Sequence, residues 1–331
     1  MNEVEIINDR LKIYRSDKLL FGNSFAEDVK SGLKSFQKYL LPKYFYDENG
    51  SKIFELICNT PEYYPTSSET EILDLLSDTI SERNMDKDLI VELGSGSSVK
   101  TELLLRSFLN VREKLEYVPV DVSSIIIESS KHLINKFPNL FINGVISLYE
   151  EGMEFIISNF KSSKLILFLG SSIGNFSPDE RLEFMKMLSK YMNKSDRLLI
   201  GFDLVKDTKI LEAAYNDSEG VTAKFNLNIL TRINRELEGD FDINKFKHKA
   251  VFNKKENRIE MYLESIDDMT VDLKFINEKV ILKKGELIHT ENSYKFDKNM
   301  INDLADKSGM IFSDYYTDAK EYYSLCAFRL K

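Results

Sequence analysis

Between Ile90 and Lys100 the chain reads IVELGSGSSVK, an apolar β-branched run, then glycine and serine, then a helix-forming stretch. Gly94 and Gly96 let the backbone approach a ligand closely, with Ser95 between them. A helix opening at about Ser98 would turn its unpaired N–H groups toward the same point. The third glycine of the dinucleotide fingerprint is missing, which speaks against a nicotinamide cofactor. One helix later EYVPVDV (116–122) reads as a second strand, and its last turn carries Asp121, a carboxylate placed to accept hydrogen bonds from both hydroxyls of a ribose. Lys100, one turn into the helix, is placed to pair with a carboxylate of the same ligand. The bland alternatives are a strand-end cap for Asp121 and a solvated helix lysine for Lys100. Taken together, the spacing predicts a nucleoside-binding α/β domain with S-adenosylmethionine as its cofactor.

The elements that must position these residues are legible from Asp88 onward. LIVEL, a helix to about Val111, YVPVDV, a helix ending near Phe137, a strand around 141–147 and a helix from about Leu148 alternate regularly. KLILFLG, a helix from Pro178 to Tyr191 and RLLIGFDL continue the series. Such alternation predicts a parallel sheet covered by helices on both faces. After Lys206 the texture changes: 207–238 read as helical, and 247–284 alternate with period two, the mark of antiparallel strands with one wet face. The tail returns to a helix at about 298–307 and then MIFSDYYT and YYSLCAFRL, an antiparallel hairpin for the sheet edge. The resulting division is 12–68 as the N-terminal part of a substrate-binding domain, 69–205 as the cofactor domain, 206–295 as an inserted α+β part of the substrate domain, and 296–331 as the completion of the cofactor domain.

Composition narrows the partners. The 331 residues are 43% hydrophobic with a formal charge of −9, enough to fill a core and ill-suited to a nucleic-acid groove. No apolar run approaches a membrane span, and the opening MNEVEIINDRLK is too polar for a signal peptide, so a cytoplasmic protein without membrane attachment is expected. Cys58 and Cys326 are far apart, and His132, His248 and His289 are isolated, so neither a disulfide framework nor a metal site is indicated. A small polar molecule is the expected partner, bound by a monomer.

The motifs LPKYFYDENGSKIFELI, PEYYPTSSETEIL, VELGSGSSVKT, LFLGSSIGNFSPDER, DLVKDTKILEAAYND, GVTAKFNLNIL, RIEMYLES and TENSYKF, in this order, resemble the histidine-specific Nα-methyltransferases of ergothioneine biosynthesis over roughly residues 20–331. That resemblance implies a Rossmann-like class I methyltransferase sheet with an inserted α+β substrate-binding domain. The implied reaction is trimethylation of the α-amine of free L-histidine to hercynine, with S-adenosylmethionine as methyl donor. It implies that Asn175 and Tyr215 hold the substrate carboxylate, and that the Gly170 carbonyl and Ser172 lie by the amine. By the same resemblance Tyr46 is expected to touch cofactor and amine, Phe54 and Tyr63 to form aromatic walls, and Ile146 to pack on the purine. Met261 is expected to pack on the imidazole, with Glu291 and Ser293 hydrogen-bonding its nitrogens. Those two residues sit two apart on an extended segment and so face one side. The bland alternative for Asn175 is a cap on the helix opened by Ser177 and Pro178.

In one place the chain departs from the family. The acidic-aromatic pair that receives the adenine amino group is replaced by Asn143-Gly144-Val145-Ile146, leaving a backbone carbonyl or Asn143 as substitutes. Methyl transfer to an amine is an in-line displacement that needs reacting atoms held about 3–3.5 Å apart and no strong base. The rival readings are an Nα-methyltransferase for another amino acid, such as tryptophan, and a non-catalytic amino-acid-binding relative.

Overall fold

The computed structural model describes residues 3–16 and 23–331. Two compact units emerge: one holds the described part of Met1–Phe21 with Pro65–Leu204 and Phe296–Lys331, the other the described part of Gly22–Tyr64 with Val205–Lys295. No helix among the described residues is long and apolar enough to cross a membrane.

The first unit is a nine-stranded sheet built from β1 (Glu3–Asn8), β2 (Leu11–Arg15), β3 (Leu89–Leu93), β4 (Leu115–Asp121), β5 (Leu140–Ile146), β6 (Lys164–Phe168), β7 (Arg197–Asp203), β13 (Met310–Thr317) and β14 (Tyr323–Leu330). Their spatial order is β1-β2-β5-β4-β3-β6-β7-β14-β13. Strands β2 to β7 are mutually parallel, while β14 runs antiparallel to β7 and pairs with β13 as a hairpin. Both β3 and β6 are buried at every position, which is why they read as near-continuous apolar runs, interrupted by Glu92 and opened by Lys164, rather than as alternating ones. Their fully buried side chains, Val91 and Ile166 among them, each contribute roughly 1.5–3 kcal/mol of apolar burial. Strand β3 lies between β4 and β6, so the direction of winding reverses there and a crevice opens at the carboxyl ends of the strands.

Two local features differ from the sequence expectation. Residues 12–15 stand in β2, hydrogen-bonded to β5, so this stretch belongs with the sheet rather than with the substrate module assigned from residue 12. A β1–β2 hairpin with a half-wet face carries no signal for which sheet it will join. The helix after the glycine turn, α4 (Thr101–Asn110), opens three residues later than Ser98. The cause is local: Ser98 has a left-handed φ of 55°, incompatible with a right-handed helix, and Lys100 takes the N-cap position.

The second unit pairs helices with antiparallel strands. Helices α1 (Asn23–Lys34), α2 (Glu48–Ile57), α8 (Thr208–Ala214) and α9 (Val221–Glu236) accompany a three-stranded sheet of β12 (Leu287–Tyr294), β9 (Arg258–Ser265) and β8 (Phe246–Asn253), and a β10–β11 ribbon (Met269–Leu273 and Glu278–Leu282). The stretch 207–238, read as helical, holds two helices: α8 ends at Ala214, and α9 starts after Gly220, which stands at its N-cap with a left-handed φ of 68°. Asp217 caps α9 by accepting from the backbone N–H groups of Val221 and Thr222, each at 2.7 Å.

Candidate active site

In the first unit the glycine turn closes on the end of β4. Gly94 and Gly96 have φ of 69° and 50°, values that favour glycine, and a side-chain carbon at Gly96 would meet nothing within 4 Å. Open space therefore lies where a ligand must approach the backbone. Asp121 accepts from the Gly96 N–H at 3.0 Å and from the Ser123 N–H at 2.8 Å, one bond to each carboxylate oxygen. A carboxylate has about four lone-pair sites, so each oxygen keeps one for a ligand hydroxyl. Burial raises the Asp121 pKa above its ordinary value, opposed by the backbone donors. Asp121 thus does cap its own turn, yet that bond leaves its ligand-binding capacity intact. Ser95 Oγ is buried and has no hydrogen-bond partner among the described residues, an orphaned group of the kind a polar ligand satisfies.

Beneath the turn lies a buried polar cluster. Glu92 of β3 accepts from Thr101 Oγ1 at 2.5 Å and from the Tyr117 hydroxyl, which in turn is 3.0 Å from Ser98 Oγ. Burial pushes Glu92 up to about 7. These bonds tie β3, β4 and the start of α4 together and fix the left-handed Ser98.

Lys100 is anchored by a residue that sequence reasoning missed. Glu69, on α3 (Tyr64–Arg83) and wholly buried, pairs with the Lys100 ammonium. The same carboxylate accepts from the Gly170 N–H at 2.9 and 3.0 Å and from the Tyr323 hydroxyl at 2.7 Å. One acid therefore ties the glycine-turn lysine to the loop after β6. Gly201 on β7 lets this happen, since a side-chain carbon there would overlap the Tyr323 hydroxyl and the Glu69 carboxylate. In that loop Ser172–Asn175 form a 3-10 turn, and Ser172 Oγ donates to the Leu169 carbonyl at 3.2 Å. Helix α7 (Pro178–Tyr191) is capped by Ser177 and Glu180 as a reciprocal box. Asn175 is therefore not the cap. Ile146 ends β5 directly across the ladder from Asp121. Asn143 lies three residues back from that edge, about 10 Å along the strand, and is poorly placed to replace the missing acid, while Val145 is buried.

In the second unit the remaining predicted residues form two linked groups. Tyr46, Phe54, Tyr63 and Tyr215 form an aromatic chain: Tyr46 to Phe54 at 5.6 Å between ring centres, Phe54 to Tyr63 at 6.2 Å, Tyr63 to Tyr215 at 6.1 Å. Phe225 of α9, unforeseen, joins Tyr46 and Phe54 at 5.7 and 5.8 Å. Burial pushes the Tyr63 hydroxyl well above its ordinary pKa. Asp47 fixes the turn behind Tyr46 by capping α2 through the Gly50 N–H and accepting from Asn228 and Arg235.

The second group stands on the three-stranded sheet. Glu291 of β12 faces Met261 of β9 in register, and Ser293 lies two residues on. Both Glu291 and Ser293 are buried, at 7% and 4% exposure. Burial drives Glu291 up to about 7, and the positive charge of Lys295 partly opposes the rise. Ser293 Oγ lies 2.7 Å from the Tyr215 hydroxyl. Lys295, also missed, is fully buried and donates to both oxygens at 2.9 Å. His248 secures the Tyr215 backbone: Asn226 donates to its Nδ1 at 2.9 Å, leaving Nε2–H to donate to the Tyr215 carbonyl at 2.8 Å. Burial lowers the pKa of that imidazole, consistent with the neutral tautomer.

A parallel sheet with this strand order, an antiparallel strand inserted beside its last parallel strand, and a glycine turn at the switch point define a class I methyltransferase. The chain belongs to the histidine-specific, S-adenosylmethionine-dependent methyltransferase family, whose signature matches residues 25–330. Among its relatives, the histidine N-alpha-methyltransferase of Mycolicibacterium smegmatis is 40% identical over 89% of this chain and 91% of its own. That of Mycobacterium tuberculosis is 39% identical over the same shares. An L-tryptophan methyltransferase, trpM, of Psilocybe serbica is 26% identical over 86% of each chain. The protein is an S-adenosylmethionine-dependent methyltransferase.

Proposed function

We propose that this enzyme methylates the α-amine of free L-histidine three times to give hercynine, a step of ergothioneine biosynthesis. S-adenosylmethionine supplies an electrophilic sulfonium methyl. Gly94, Ser95 and Gly96 receive its amino-acid part with Lys100 near its carboxylate, Asp121 takes the ribose hydroxyls and Ile146 packs on the purine. Asn175 and Tyr215 hold the substrate carboxylate. The amine is held by the Gly170 carbonyl, Ser172 and Tyr46, whose ring faces, with Phe54, tolerate the growing cationic charge as methyls accumulate. Met261 and Tyr63 enclose the imidazole, and Glu291 and Ser293 bind its nitrogens. Both residue sets come from one chain, so the reading needs only a monomer, working in the cytoplasm.

The observation that carries the substrate assignment is Glu291, a buried acid set against Met261 and beside Ser293. Sites built to hydrogen-bond a substrate N–H reject analogues without it, because their buried polar groups go unpaired. An indole offers one N–H where an imidazole offers two nitrogens. Replacing Glu291 with Ala is expected to raise the KM for histidine and to cut the histidine-to-tryptophan ratio of kcat/KM by at least tenfold, with the affinity for S-adenosylhomocysteine nearly constant. A ratio unaltered in the folded variant removes the imidazole from Glu291.

A further inference from the structure

Glu69 is a wholly buried acid surrounded by donors. Its two oxygens accept from the Lys100 ammonium, from the Tyr323 hydroxyl at 2.7 Å and from the Gly170 N–H, which reaches both of them at 2.9 and 3.0 Å. A carboxylate has about four lone-pair sites, and these contacts fill them. Glu69 therefore has nothing left for a ligand and acts through the groups that it holds.

The backbone it holds is an uncommon one. Gly170 and Ser171 stand consecutively in the left-handed region, at φ of 75° and 55°, and a serine persists there only where its surroundings over-determine it. Ser171 is held from the far side: its Oγ accepts from the Asp203 N–H at 2.9 Å and its carbonyl from the Gly174 N–H at 2.8 Å. Glu69 holds the near side through the Gly170 N–H. The Gly170 carbonyl lies between these two anchors, in the peptide that joins Gly170 to Ser171, so both of them set its direction. A side-chain carbon at Gly170 would stand 3.6 Å from Lys100 Nζ and 3.7 Å from Ser172 Oγ, which puts the lysine, the hydroxyl and this backbone around one small space.

We propose that Glu69 is a positioning residue for the methyl-accepting amine: by tethering the Gly170 N–H it aims the Gly170 carbonyl at an amine N–H, and by pairing with Lys100 it keeps the cofactor lysine beside that carbonyl. The proposal rests on the reading of Gly170 and Ser172 as amine ligands and deepens it by assigning the group that aims them. Aiming and mere support have different chemical consequences. A carbonyl can only accept, and the neutral amine brings two N–H groups as histidine, one after the first methyl transfer and none after the second. The Gly170 carbonyl can therefore orient the amine for the first two transfers and not for the third.

The test measures single-turnover rates by mass spectrometry, with enzyme and S-adenosylmethionine in saturating excess, for L-histidine and for Nα,Nα-dimethylhistidine. Glu69→Ala should slow the first methyl transfer at least tenfold, because small misplacements of reacting atoms carry large rate penalties, while slowing the transfer to dimethylhistidine less than threefold. If Glu69→Ala does not fold, Glu69→Gln carries the same comparison, since one of the two oxygens facing the Gly170 N–H becomes a donor. Ser172→Ala, which removes an amine contact outright, should show the same split. Equal losses on both amines, or no loss on either, while Ser172→Ala shows the split, overturn the role of Glu69. No split in either variant, or a wild type inert on both amines, overturns the amine assignment beneath the proposal and the proposal with it.

Discussion

Glu291 and Glu92 are both pushed to about 7 by burial. A carboxyl whose folded-state pKa lies above its unfolded value binds its proton more tightly in the native protein. Its contribution to stability is full below the unfolded value of 4.5 and is lost as pH rises through about 7. For Glu291 the loss is on the order of 3 kcal/mol. Glu291→Gln imitates the protonated acid and escapes it. Without substrate, denaturant unfolding should therefore show the variant close to wild type near pH 4.5 and more stable near pH 8 by roughly that amount. A difference that does not grow with pH would mean that Glu291 is ionised freely in the native protein. Period-two alternation places Glu291 and Ser293 on one face, and the same count continued one step reaches Lys295. Glu69 had no such marker: its role depends on α3 meeting a lysine and a tyrosine far along the chain, which no local spacing encodes.

At the level of elements, capping chemistry was the most readable signal. Ser177, Pro178 and Glu180 fix the start of α7, whereas the start of α4 was misplaced because serine at position 98 adopts a left-handed turn that its type does not announce. The stretch read as helical, 207–238, contains α8 and α9 together with the turn 215–220 between them, where Asp217 accepts from the first N–H groups of α9 and which helical periodicity does not mark. Gly201 supplies a test of how the elements lock together. Gly201→Ala would push the Tyr323 hydroxyl and the Glu69 carboxylate off β7, disturbing the bond to the Gly170 N–H. Overpacking of this kind costs roughly 1–3 kcal/mol, readable as a lower denaturant midpoint. Because Glu69 also holds Lys100, the affinity for S-adenosylhomocysteine should fall with it. A variant as stable as wild type would show that the cluster yields without cost.

Across the whole molecule, the alternation of strands and helices disclosed the parallel sheet, because buried central strands and amphipathic helices have different periods. The antiparallel tail was legible as well. Less legible was the N-terminal hairpin, whose place at the sheet edge is decided by β5 rather than by its own residues. The chain leaves the first unit after Pro65–Leu204 has been laid down and returns at Phe296, so the glycine turn lies in one unit and Met261, Glu291 and Ser293 in the other. The proposed trimethylation of free histidine is tested most directly by mass spectrometry of an equimolar mixture of free amino acids incubated with the enzyme and S-adenosylmethionine. Histidine should pass through species carrying one and two added methyls to one carrying three, with tryptophan and phenylalanine left essentially unchanged. Consumption of another amino acid ahead of histidine, or no methylated product at all, would contradict the account.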